Sequence, residues 1–381
     1  MNNNLRPYEI NQNNVTQTWL NINSNSTPTF NSIITFDINQ VGKINELYLL
    51  FNMSAITGVT GNSALSVPAP ISAFKGYTSI TYSYQGQVVD TVTNDQNFIH
   101  QQISYDDQDR TFINTAAGQY SSQPSRYLLA QSPNIYQVPL RSFINQVNPE
   151  ILNSNAHSIR VSVTLDTLAN ILDVGTLVGA NMVINSLSLL VTMQKLDMPT
   201  INYKMNQLAK IGRYQDIFTS NLQQQFTVLA GATNAIINLP NFINSNIKYV
   251  YFTIRPITGL VKAAGFNYIN NIVSYHLINS SGESLCGGQP VVSNIGLYIL
   301  NKDATRGSYS TETGSSAFFW FHSTDPIKTL QTGTPLSSRL YNGSENLTLV
   351  FKSALLVNHQ IDIYASAVSV FNQTPIGVRK L

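Results

Sequence analysis

The stretch Lys43-Ile44-Asn45-Glu46-Leu47-Tyr48-Leu49-Leu50-Phe51-Asn52-Met53-Ser54-Ala55-Ile56-Thr57-Gly58 returns in outline as Asn246-Ile247-Lys248-Tyr249-Val250-Tyr251-Phe252-Thr253-Ile254-Arg255-Pro256-Ile257-Thr258-Gly259. Both are runs of β-branched, aromatic and aliphatic residues. Both end in Ile-Thr-Gly, and both follow an apolar strand and an Asn-rich turn. Such residues suit a pleated, half-buried surface, so each run reads as a strand, and recurrence at so wide a spacing points to an internal duplication.

The same order holds on either side. Phe74 to Gly86 matches Phe266 to Gly282 in pattern, Tyr127 to Pro133 matches Phe318 to Pro326, and Ser158 to Asp166 matches Asn346 to Ala354. The first half reads as strands at Ser32–Ile38, Ile44–Met53, Thr78–Tyr84, Gln87–Val92, Tyr127–Leu129, Ile135–Leu140, Ser158–Leu165 and Met182–Met193. The second half reads as strands at Gln225–Leu229, Ala235–Leu239, Ile247–Ile254, Ile269–Ile278, Val291–Leu300, Ala317–His322, Asn346–Leu356 and Gln360–Phe371. About eight strands per half, divided by Gly, Pro, Asn and Asp clusters, fit a two-sheet sandwich or jelly roll.

Helical spacing occurs in two places. Thr93-Asn94-Asp95-Gln96 has the form of a capping box, with Phe98, Ile99, Gln102 and Ile103 on one stripe up to Gln108. Tyr203 to Tyr214 carries Met205, Leu208, Ala209 and Ile211 among Lys204, Lys210 and Arg213, an amphipathic pattern that reads as a connector. The expected organisation is therefore an extended or partly disordered arm over 1–29, a first sandwich over 30–198, a connector over 199–221, a second sandwich over 222–373 and a tail over 374–381. The fold class is all-β: two tandem eight-stranded jelly-roll sandwiches with short loop and connector helices.

At 381 residues the chain suits two domains of ordinary size. Charged residues make up 10% and the net charge is +2, which leaves no large single-sign field for many phosphate contacts and argues against direct nucleic-acid binding. Polarity comes from neutral residues, with Asn at roughly forty positions, far above ordinary usage. That surplus suits lateral packing between copies, and an AT-rich genome would raise it equally. Cys286 is the single cysteine, so an intrachain disulfide and a Cys-based zinc cluster are excluded. The N-terminal MNNNLRPYEINQNN has no apolar signal-peptide core, and the apolar stretch Leu177 to Met193 is broken by Asn181, Asn185, Ser186 and Ser188, so cytoplasmic synthesis without a membrane span is expected.

The search for chemistry returns no catalytic, cofactor-binding or metal-binding residues. His100, His157, His276, His322 and His359 show no metal-ligand spacing. His322 with Asp325 is the nearest approach to a pair, and a strand end followed by an Asp-Pro turn explains it. Asp106, Asp107 and Asp109 cluster three carboxylates that would suit a calcium ion, but without the Gly and distal Glu of an EF-hand they read as an acidic turn. Cys286-Gly287-Gly288 and Gly58-Val59-Thr60-Gly61 lack the Lys-Ser/Thr step of a phosphate loop. Phe318, Phe319, Trp320 and Phe321, with Tyr249 and Tyr251, suit either a stacking platform or a core with an interface. The sequons at Asn342 and Asn346 arise readily in an Asn-rich chain.

From Phe30 to Phe371 the chain resembles the double jelly-roll major capsid proteins of adenoviruses and of tailless phages with an internal membrane. A polar arm, two eight-stranded sandwiches in matching order, a short connector and the tail Thr374 to Leu381 ending in Arg379-Lys380-Leu381 carry the resemblance. It implies a structural protein of a bacteriophage-like virion, made in the host cytoplasm, without enzymatic activity or cofactor. It also implies a homotrimer of pseudo-hexagonal outline that packs against neighbouring capsomers in an icosahedral shell. The arm and tail would lie near the inner face, towards minor capsid proteins or an internal membrane. The basic cluster Lys195, Lys204, Lys210 and Arg213 would face the same way, or is an ordinary solvated surface. Two other functions stay open: a carbohydrate- or receptor-binding sandwich such as a spike or lectin-like adhesin, and a polysaccharide-degrading enzyme, which would need two positioned carboxylates.

Overall fold

The computed structural model describes residues 16–40, 42–58, 69–70, 73–104, 107–118, 128–145, 152–153, 158–173, 181–212, 214–257, 271–279, 281–284, 291–292, 318–322, 338–374 and 377–380. Among the described residues, eight strands of six residues or more build the first half: β1 (Thr16–Asn23), β2 (Ile33–Ile38), β3 (Gly42–Met53), β4 (Tyr77–Tyr84), β5 (Gln87–Thr93), β6 (Asn134–Pro139), β7 (Ile159–Leu165) and β8 (Ile184–Lys195). They form two antiparallel sheets, in the orders β1-β8-β3-β6 and β2-β7-β4-β5.

The second half has β9 (Tyr214–Val228), β10 (Asn234–Asn238), β11 (Ser245–Pro256), β12 (Ile272–Ile278), β13 (Val291–Val292), β14 (Phe318–Phe321), β15 (Asn346–Phe351) and β16 (His359–Thr374). Their orders, β9-β16-β11-β14 and β10-β15-β12-β13, repeat the first half with every number raised by eight. Each half is thus a jelly roll, and the chain is all-β with two in tandem. Even a bulge is duplicated. The β3–β8 ladder skips Asn45 and the β11–β16 ladder skips Lys248, the two positions that the sequence comparison places opposite each other.

Strand periodicity explains most of the first sandwich. In β3, Leu47, Leu49, Phe51 and Met53 face the core while Glu46, Tyr48, Leu50 and Asn52 alternate outward. The β4–β5 hairpin turns through Gln85 and Gly86, both at positive φ (49° and 78°), the backbone that a tight two-residue hairpin demands and that Gly supplies freely. Strand β11 is different: eight successive residues, Ile247 to Ile254, are buried. Ile247, Val250, Phe252 and Ile254 belong to the core of their own sandwich, whereas Tyr249 and Tyr251 join the core of the first. A run of this kind marks a sheet covered on both faces.

Two helices, α1 (Asn94–Ser104) and α2 (Asp107–Ala116), lie between β5 and β6. The capping box at α1 is formed: Gln96 N donates to Thr93 Oγ1 (3.2 Å) and Thr93 N to Gln96 Oε1 (3.0 Å). A third helix, α3 (Met198–Ile211), joins β8 to β9.

Five expectations need correction. The stretch expected as an arm contains β1, which pairs with β8 along its length, from Thr16 opposite Lys195 to Asn23 opposite Ser188. Only Leu20 and Ile22 of β1 pack on the core, too sparse an apolar signal to announce a strand. The run expected as a strand at Tyr127–Leu129 is a helical turn at 128–130 in its described part; the counterpart of β14 is therefore β6, not Tyr127 to Pro133. Helix α3 begins five residues before the expected Tyr203 because Asp197 caps it, accepting from Thr200 N at 2.9 Å, and Pro199 sits in the first turn, where its missing N–H costs no helical bond. The expected connector also loses Tyr214 to Asn221 to β9. Finally, Gly377–Lys380, within the expected tail, pairs with β16.

Candidate functional site

The most heavily built polar feature among the described residues lies where the two jelly rolls meet. The outward face of the β9-β16-β11-β14 sheet presents a ladder of paired residues, Tyr249 opposite Ser366, Tyr251 opposite Tyr364 and Thr253 opposite Asp362. All six are at most 2% exposed. The first jelly roll covers them with the edge strand β5, the start of α1 and the segment after β6.

Three sets of contacts, aromatic, hydrogen-bonded and ionic, hold this junction. At the centre, the Tyr251 and Tyr364 rings stack at 5.0 Å, and Tyr251 lies over Tyr249 at 6.1 Å. Phe143 meets Phe218 across the junction at 5.8 Å. Arg141 reaches from the first jelly roll to the second, its Nη2 donating to Tyr249 Oη at 3.3 Å. The backbone of Arg141 is itself fastened, its N–H donating to Asn97 Oδ1 (2.8 Å) and its carbonyl accepting from Tyr82 Oη (2.8 Å). On β5, Asp90 accepts from the N–H and Nδ2 of Asn221 at 3.1 and 2.9 Å.

The third set is ionic. Asp95, at the N-terminus of α1, takes Lys75 Nζ at 3.1 Å, Arg255 Nη2 at 2.9 Å and Tyr364 Oη at 3.4 Å. Arg255 also binds Asp362, which in turn accepts from Gln360 Nε2 at 2.6 Å. Asp95 and Asp362 are almost fully removed from water, so each depends on its cation. Burial holds the Lys75 ammonium below the ordinary lysine range, with the Asp95 charge working against that shift. Burial, reinforced by Asp95 and Asp362, holds the Tyr364 phenol well above its usual value. Beside this network is a polar crevice of about 410 Å³, lined by Lys75, Asp95, Asp166 and Asn170 from one jelly roll and Arg255 and Gln360 from the other.

The described histidines weighed from sequence make separate contacts. His276 Nε2 meets Ser284 Oγ at 2.8 Å, and His359 Nδ1 meets the Val357 carbonyl at 2.7 Å. His322 Nε2 meets Tyr341 Oη at 2.9 Å, and burial, with Arg339 nearby, lowers its pKa to about 4. His100 is held well below its ordinary range by burial, with Arg141 adding to the effect. Asp109 is exposed on α2. His157, Asp325, Asp106, Cys286 and Arg213 lie outside the described residues, as do the side chains of Asp107 and Lys204. Among the described residues no group of three or more His, Cys, Asp or Glu is placed to hold a metal ion, and no helix is long and apolar enough to cross a membrane. Lys195 and Lys210 are exposed. Asn342 caps a turn, accepting from Ser344 N at 3.0 Å. Tyr249 and Tyr251 are not an open stacking platform; they are sealed inside the junction.

Sequence reasoning missed Lys75, Asp95, Arg255 and Asp362 as a set. One signal was present: Asp362 interrupts the apolar run Ile361-Asp362-Ile363, and Arg255 ends another, in a chain where only 10% of residues are charged. A charge inside an apolar run implies a buried partner.

The structure thus defines a class: a protein of two topologically equivalent jelly rolls locked into one block through a fully buried sheet face. No protein-family profile matches the sequence, and no curated protein sequence does. Among solved structures, VP54 of PBCV-1, in the form fitted into a reconstruction of the virophage Sputnik, superposes with a TM-score of 0.67 at 13% identity over 96% of both chains. The Faustovirus major capsid protein gives 0.66 at 10% identity over 97% of this chain and 92% of the other. The mavirus major capsid protein gives 0.57 at 12% identity, over 96% and 90%. The chain has the double jelly-roll fold of these viral capsid proteins along nearly its whole length.

Proposed function

We propose that this chain is a structural major capsid protein that forms a homotrimeric tile of an icosahedral virion shell. The observation that carries the reading is the junction itself. Two equivalent jelly rolls are joined through a face buried as deeply as a core, so the chain behaves as one rigid block with two similar sides, and three such blocks around a threefold axis present six. The exposed surface is rich in neutral polar groups, which suits repeated lateral contacts between tiles.

The pairing of Thr16 with Lys195 and of Tyr214 with Gln373 puts the start of β1, helix α3 and the end of β16 at one end of the block. Exposed Lys195 and Lys210 lie there. This end suits the inner side of a shell, facing minor proteins or a membrane. The glycan-binding alternative loses two of its aromatic residues, Tyr249 and Tyr251, to the buried junction. Light scattering on the purified protein tests the proposal. A stable particle of three chain masses is expected; a monomer at all concentrations, together with binding to a glycan panel, would overturn it.

A further inference from the structure

The crevice beside the ionic network holds one carboxylate more than that network uses. Lys75 is ion-paired to Asp95, and Arg255 to both Asp95 and Asp362. Among the described residues, two cations thus face three carboxylates, and the carboxylate left over is Asp166. Its Oδ1 accepts from Thr167 N and Asn170 Nδ2, both at 2.7 Å. Its Oδ2 has no hydrogen-bond partner among the described residues, although Asp166 is only 9% exposed and lines the crevice. A carboxylate so far withdrawn from water calls for a cation or a further donor.

The other lining groups narrow the choice. The second jelly roll contributes the side-chain amides of Gln223, Gln225 and Gln360. Gln360 Nε2 donates to Asp362, so its Oε1 is the oxygen left to accept. None of the described lining residues is aromatic, which speaks against a quaternary ammonium, whose recognition uses aromatic faces. No group of three or more His, Cys, Asp or Glu converges among the described residues, which speaks against a divalent ion. The space is about 410 Å³, far more than the roughly 30 Å³ of one water, and admits a short chain as well as a charged head.

We propose that this crevice binds a small protonated aliphatic amine across the two jelly rolls. Asp166 Oδ2 of the first is its charge partner, and the Gln223 and Gln360 amide oxygens of the second complete its hydrogen bonds. An alkylammonium is charged at neutral pH and carries three N–H donors, which matches one anionic and two neutral acceptors. It does not compete with Lys75 or Arg255, because Asp95 and Asp362 already have their cations. Bound there, it ties the two halves together and stabilises the folded chain by mass action. The site lies within one chain and does not depend on assembly.

Isothermal titration calorimetry of butylammonium chloride into the full-length protein, at neutral pH and low salt, tests this against Asp166→Asn. Asn keeps an oxygen for Thr167 and Asn170 and removes the charge; circular dichroism checks the fold. Saturable binding at one site per chain is expected, weakened about tenfold or more in Asp166→Asn, the loss of one charge-assisted hydrogen bond. No saturable heat with the parent, or equal affinity in the two proteins, would overturn the proposal. Gln223→Ala should weaken binding several-fold; unchanged affinity would contradict a ligand that spans both jelly rolls. A further measurement needs no variant. The thermal unfolding temperature of the parent should rise with butylammonium chloride and not with the same concentration of tetramethylammonium chloride, which has no N–H, or of potassium chloride. An equal rise with either salt would overturn the assignment to an amine.

Discussion

Replacing Arg255 with Met should uncouple the two jelly rolls. Its guanidinium bridges Asp95 of the first half and Asp362 of the second, and both carboxylates are withdrawn from water. Removing one partner of a buried pair leaves an uncompensated charge and costs about 3–5 kcal/mol. Lys75 remains on Asp95 and Gln360 on Asp362, so the loss falls near the lower end, about 3 kcal/mol, or roughly two powers of ten in the folding equilibrium. Urea unfolding at one fixed protein concentration would measure it, since assembly shifts apparent stability. The double variant Arg255→Met with Asp362→Leu removes the stranded charge as well, and should return to within about 1 kcal/mol of the parent. A single variant that costs under about 1 kcal/mol, or a double variant no better than the single, would refute the assignment of Arg255 as the interdomain bridge.

Three smaller predictions follow from local geometry. His322 has a folded-state pKa of about 4, below the ordinary value of about 6.5. The unfolded chain therefore binds a proton between those values that the folded chain refuses, and stability falls as pH drops from about 6.5 to 4, by on the order of 3 kcal/mol; His322→Asn should flatten that part of the pH–stability curve. Thr93→Ala removes the cap of α1 and should cost about 1 kcal/mol in urea unfolding. Gly343 and Gly231 have similar positive φ (90° and 85°), but a Cβ at Gly343 would lie 2.7 Å from Ile243 Cγ1 while one at Gly231 meets nothing within 4 Å. Both Ala variants carry backbone strain of about 1–3 kcal/mol, and Gly343→Ala should lower the melting temperature further.

Much of the fold was legible because β-strands with one buried face write their alternation into the sequence. β3, β4, β7 and β15 do so, and the match between β3 and β11 located the duplication down to the bulge. β1 was not legible, since an edge strand with Trp19, Asn21 and Asn23 outward and only Leu20 and Ile22 inward resembles a polar arm. The helical turn at 128–130 was misread because Tyr-Leu-Leu-Ala has the composition of a strand and is too short to show a period. The junction was half visible. Tyr249 and Tyr251 read as either a stacking platform or a core with an interface, because which surface they meet depends on how two domains dock, and contacts between Asp95 and Arg255, 160 residues apart, leave no local pattern. The candidate catalytic and metal residues were read one at a time, and the described histidines among them make separate contacts.

The most direct measurement is an electron-microscopic reconstruction of the purified assembly without imposed symmetry. A six-lobed particle with threefold symmetry, each pair of lobes one chain, is the predicted result. A two-lobed single chain, or a twofold dimer, would contradict it.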